Sequence, residues 1–101
     1  MVTEIQALSN GNIITVWNIF EVDETKVQYL IGYSSNYKFD VITPALASFV
    51  YDPNTKSGQA ITKTGSIYIL DGKPIQFNPK GHLLLKEFMV KHDCQITFVK
   101  L

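Results

Sequence analysis

Gly58–Pro74, GQAITKTGSIYILDGKP, is the stretch whose reading decides the fold. Its apolar residues Ile61, Ile67, Ile69 and Leu70 lie between glycines and stop at a turn signal, Asp71-Gly72-Lys73-Pro74. Gly65 permits backbone angles that β-branched Thr64 and Ile67 resist. The stretch therefore reads as a bent β-strand, Gln59–Lys63 continuing as Ser66–Leu70 beyond the bend. A chain organised around such a strand is a small β-rich domain.

The same signals extend upstream. Asp52-Pro53-Asn54-Thr55-Lys56-Ser57-Gly58 is a dense cluster of turn residues, which makes Ala47–Tyr51 the hairpin partner of Gln59–Lys63. Pro44 cannot donate a ladder hydrogen bond and marks a strand end or an edge after Phe39–Thr43. Ser34–Lys38 is a loop and Lys26–Tyr33 a strand. In that strand Val27, Tyr29 and Ile31 share one face and Gln28, Leu30 and Gly32 the other. Asp23-Glu24-Thr25 is a turn, and Ile13–Val22, rich in β-branched and aromatic residues, is a strand. Strict alternation along it puts Ile14, Val16 and Phe20 on one face and Ile13, Thr15 and Trp17 on the other. Asn10-Gly11 is a hairpin signal for the residues before it. The competing reading makes Thr3–Asn10 a short helix with a capping box.

Downstream, Ile75–Phe77 is a brief extended piece. A helix then starts at Asn78, with Pro79 pre-set for its first position, and runs to about His92. Leu84, Leu85, Phe88 and Met89 form one apolar face, Leu83 and Val90 widen it, and Glu87 and Lys91 can pair on the far side. The chain ends in a strand over Gln95–Leu101. The fold class is α+β, mostly β. The expected form is a small antiparallel, strongly bent sheet or open barrel with one C-terminal amphipathic helix at about 79–92, followed by a final strand. The 101 residues make a single domain.

The run Thr62-Lys63-Thr64-Gly65-Ser66-Ile67-Tyr68-Ile69-Leu70-Asp71-Gly72-Lys73-Pro74 resembles a Thr-x-[Ser/Thr]-Gly-Ser-x-Tyr-x-Leu-x-Gly-x-Pro segment of short uncharacterised bacterial and phage proteins. In those proteins a Thr-Ser/Pro stretch precedes a strand, and Ile42-Thr43-Pro44 lies where it would fall. The resemblance covers roughly a third of the chain and implies a small β-rich fold of mobile-element or accessory origin. It carries no chemistry with it.

Composition narrows the function. Nine basic residues balance nine acidic ones, and every basic residue is lysine. A neutral chain has little long-range field for nucleic acid or anionic lipid. Without arginine it lacks the planar fork for bidentate phosphate and guanine contacts. Met1–Leu8 carries Glu4 and no basic start or long apolar run, so the chain reads as cytoplasmic. No apolar run approaches the ~18 residues of a membrane span.

No cofactor or phosphate-binding motif is present. His82, His92 and Cys94 are the only metal-ligand candidates, but zinc sites draw on paired ligand knuckles and there is one thiol here. Cys94 beside His92 would need a third group to work as a nucleophile. Glu21, Asp23 and Glu24 sit on a turn rather than across a cleft, and Ser66 lacks the nucleophile-elbow context. The aromatic residues are more informative. Tyr33, Tyr37 and Phe39 surround a polar loop and Tyr51 precedes another, and tyrosine combines contact area with a polar tip. The expectation is a non-enzymatic module binding an unidentified protein partner through Tyr33, Tyr37, Phe39 and Tyr51. Alternatives are a small barrel binding single-stranded nucleic acid and a small metal protein or enzyme. A homodimer through an edge strand near Pro44, or through the terminal strand, is a further expectation.

Overall fold

The computed structural model describes residues 12–74 and 79–101. Its strands are β1 (Ile13–Val22), β2 (Gln28–Ser34), β3 (Phe39–Ile42), β4 (Leu46–Asp52), β5 (Ser57–Thr62), β6 (Ile67–Asp71) and β7 (Ile96–Phe98). The helix α1 spans Pro79–His92, between β6 and β7. The expectation for Thr3–Asn10 and the extended piece at Ile75–Phe77 fall outside the described residues. The fold class is as expected: one bent, unclosed sheet, one C-terminal helix and a final strand.

The sheet order is β3-β2-β1-β6-β5-β4, with β7 also on β1. Consecutive strands pair antiparallel as β1–β2, β2–β3, β4–β5 and β5–β6. One pair departs from the antiparallel expectation: β6 joins β1 in parallel, through Ile13↔Ile69 and Ile14↔Leu70. β7 pairs with the other end of the same strand, Phe20–Val22. The centre of the molecule is therefore β1, shared by three neighbours.

The bent strand expected across Gly65 is instead two strands. The chain reverses there, so that Ile61 faces Ile67 and Gln59 faces Ile69. Gly65 takes φ 95° and donates its N–H to the Thr62 carbonyl at 2.9 Å. The Thr62 hydroxyl accepts the Ser66 N–H at 3.0 Å, closing the turn from inside. The torsional reason for glycine holds, and its consequence is a hairpin.

A bulge in β1 decides which residues form the core. Between Thr15 and Asn18 the register slips, setting Val16 and Trp17 against Gly32 of β2. Val16 sits at φ 47°, in the left-handed region that β-branched residues resist. The extra residue flips the alternation. Ile14, Trp17 and Ile19 consequently share one face with Leu30, Leu46, Ala60 and Leu70, the buried core inside the bend. Val16 and Phe20 go to the other face, where Ile31 and Leu85 form a second core beneath α1. Strict alternation, which put Ile14 with Val16, is corrected by this slip. Trp17 is fully buried, and its indole N–H donates to the Gly72 carbonyl at 2.9 Å. The turn after β6 thus anchors the largest core side chain.

Helix α1 presents Leu84, Leu85, Phe88 and Met89 to the sheet. Leu83 and Val90, expected to widen that stripe, are 63% and 74% exposed. No ion pair joins Glu87 to Lys91 among the described residues. No described helix is long and apolar enough to cross a membrane.

Candidate functional site

Three hairpin loops share one construction. In each, a lysine near the end of the loop has positive φ and donates its N–H to the carbonyl four residues back. These are Lys26 to Val22, Lys38 to Ser34 and Lys56 to Asp52, at 2.7–2.8 Å. The β2–β3 loop built this way carries the aromatic residues. Its Ser34 side chain is buried, and the hydroxyl accepts the Tyr37 N–H at 3.1 Å. Asn36 turns back to β1 and accepts the Ile13 N–H at 2.9 Å. The loop is thereby fixed against the start of β1, with Tyr37 projecting from it.

Tyr37 and Phe39 stack on each other, centroids 5.8 Å apart and planes 25° from parallel. They remain 59% and 53% exposed. Below them a cleft of about 240 Å³ opens at the mouth of the bent sheet, lined by Asn12, Ser34, Tyr37, Phe39, Val41 and Tyr68. Tyr68 packs partly on the inner core. Its phenol is pushed above the ordinary tyrosine value, first by burial and then by the neighbouring Tyr37. On the flank of Phe39 toward α1, one Asp40 carboxylate oxygen is buried without a hydrogen-bond partner among the described residues. Leaving such an acceptor unpaired costs roughly 1–3 kcal/mol.

The four aromatic residues expected at one surface are therefore divided. Tyr37 and Phe39 meet at the mouth. Tyr33 is half-buried on β2, paired with Thr15 and Asp40, and by alternation faces the helix side with Tyr29 and Ile31. Tyr51 lies edge-on to Trp17 at 5.3 Å and closes the inner core. Tyr68, which sequence reasoning passed over, completes the cleft. Its signal was its place in the quoted segment, two residues before core Leu70 on the same face of β6.

A second, larger groove of about 520 Å³ runs beside α1, lined by Tyr29, Ile42, Pro44, Leu84, Phe88 and Lys91. Its rings are engaged in packing the helix. Phe20, Tyr29 and Phe88 interlock at centroid distances of 5.0–5.5 Å. They have less freedom to receive a partner than the stacked pair at the mouth.

The histidine and cysteine candidates do not form a reactive set. His82 and His92 are both exposed and ten residues apart on α1, about 15 Å along its axis. His92 stacks against Phe88 at 4.4 Å. Cys94 lies in a small cleft with His92, Glu24 and Asp93. Burial pushes its thiol up, and Glu24, Asp93 and Asp23 push it further, the reverse of what activates a thiolate. Among the described residues no three His, Cys, Asp or Glu side chains gather to hold a metal. Asp23 is engaged locally, accepting the Thr97 hydroxyl at 2.7 Å.

A scan against protein-family models and searches of curated proteins and of solved structures find no match to this chain.

Proposed function

We propose that this is a cytoplasmic, non-enzymatic binding module that engages a protein partner through the aromatic cleft at the mouth of its sheet. The single observation carrying the reading is the stacked Tyr37–Phe39 pair, more than half exposed above a cleft that Tyr68 lines. Aromatic side chains are the residues that dominate protein contacts. At about 240 Å³ the cleft is below the roughly 300–1,000 Å³ of small-molecule and cofactor sites, and suits one or two anchoring side chains. The resemblance of Thr62–Pro74 supports an accessory protein of phage or mobile-element origin, acting on a host protein.

The test is affinity capture from host lysate with the intact chain and with Tyr37→Ala/Phe39→Ala. Both rings are exposed, so the double variant should keep its fold by circular dichroism. Loss of two central anchors is expected to cut retention at least about 30-fold, the ratio equivalent to 2 kcal/mol. Equal retention would remove the cleft from consideration.

A further inference from the structure

The rings at the mouth of the sheet come from two places. Tyr37 and Phe39 belong to the β2–β3 loop and the start of β3, and Tyr68 to β6, which β2 and β1 separate from β3. None of the side chains lining the cleft is charged, although the chain carries nine basic and nine acidic residues. The phenols of Tyr37 and Tyr68 are neighbours, near enough for one to raise the pKa of the other. Neither phenol oxygen makes a hydrogen bond among the described residues. The aliphatic hydroxyls of the lining are already engaged as acceptors, Ser34 by the Tyr37 N–H and Thr43 by the Leu30 N–H. The cleft therefore offers ring surface and two adjacent O–H donors, with no charge and few open acceptors.

We propose, resting on the reading of this cleft as a protein-binding site, that its occupant is a proline-rich segment of the partner in the polyproline II conformation. The match lies in what each side supplies. Proline has no N–H, so a run of prolines presents carbonyl acceptors that no internal hydrogen bond satisfies. The Tyr37 and Tyr68 hydroxyls are the donors for them. A helical segment would bring its carbonyls already bonded, and a strand would bring N–H donors that need acceptors this cleft does not hold open. Pyrrolidine rings are uncharged and pack on aromatic faces, as in other aromatic-lined grooves that take such segments. A charged anchor would lose its hydration against these walls with no opposite charge to meet it. A cleft of about 240 Å³ has room for one or two such rings. The segment is preformed, so little conformational entropy is lost on docking.

Magnetic-resonance titration of the full chain with an acetylated, amidated decaproline tests it. Saturable shifts are expected at Tyr37, Phe39 and Tyr68, and none with a glycine–serine decamer. Tyr68→Phe keeps the ring and removes one O–H, and should weaken binding about 5- to 10-fold, the share of a single hydrogen bond. Tyr51→Phe removes a hydroxyl from a ring that packs on the same core outside the cleft, and should bind like the parent. No saturable shift up to roughly 5 mM peptide, an equal response to the glycine–serine decamer, or unchanged affinity of Tyr68→Phe would overturn the proposal. The broader reading has a separate readout. Decaproline is expected to compete with the partner captured from lysate. Capture that needs Tyr37 and Phe39 but resists decaproline would overturn the proline-rich occupant and leave the protein-binding cleft standing.

Discussion

Gly32 is the residue on which the geometry of the central strand turns. A Cβ there would press on Ile14 Cγ2 and lie 2.9 Å from Trp17 Cβ, on the inner face where the bulge crosses β2. Gly32→Ala is expected to cost about 1–3 kcal/mol, as overpacking does, seen as a lower urea midpoint with an unchanged slope. Lys56 gives the opposite sign. It is exposed at φ 55° in the β4–β5 turn, where glycine carries no Cβ penalty. Lys56→Gly should stabilise by about 0.5 kcal/mol, a rise of roughly 2–4 °C in Tm by calorimetry. No rise would mean the lysine makes a compensating contact.

Tyr68 supplies a pH dependence at the same scale. Its folded pKa is raised, so its stabilising share is complete below the ordinary tyrosine value near 10 and is lost as pH rises through the folded pKa. Stability should fall in urea titrations as pH rises past about 10, and Tyr68→Phe should flatten that slope. The sequence showed Gly65 correctly as a torsional necessity. It hid the positive φ of Lys26, Lys38 and Lys56, because lysine is not a residue that marks such turns. It also hid Tyr68, since Ile67-Tyr68-Ile69-Leu70 is apolar at every position and gives no contrast between faces.

Most elements were readable because local chemistry bounds them. Ile13–Val22 begins and ends where its composition changes, and Pro79 and the Leu84/Leu85/Phe88/Met89 spacing locate α1. What failed was what depends on partners distant in sequence. The β5–β6 reversal lies inside a run of strand formers, and the parallel contact of β6 with β1 joins residues more than fifty apart, beyond any local pattern. The bulge at Val16 arises from the opposing Gly32, so alternation along β1 alone assigned the wrong faces. On α1, Leu85 is buried while Leu83 is exposed. Leu85→Ala is expected to cost about 2–3 kcal/mol and Leu83→Ala under about 0.5 kcal/mol, compared by chemical denaturation. Similar losses at both would indicate a helix rotated from the face seen here.

At the scale of the molecule, one sheet is folded over one core, with α1 covering a second. The bulge divides the apolar residues of β1 between them, and the bend leaves a mouth where Tyr37, Phe39 and Tyr68 meet. Two of those three rings were readable: the loop aromatics Tyr37 and Phe39 stand out beside polar neighbours. Tyr33 and Tyr51 looked equivalent in sequence and serve packing, because strand parity and the fold over Trp17 turn them elsewhere.

The comparison that bears most directly on the central claim sets Tyr68→Ala against Tyr51→Ala in partner capture, at a temperature where both variants are folded. Both rings are half-buried and pack on the inner core, but Tyr68 alone lines the mouth. Loss of the partner with Tyr68→Ala and its retention with Tyr51→Ala is the predicted result. Retention by Tyr68→Ala, with loss by Tyr51→Ala, would place the contact surface elsewhere.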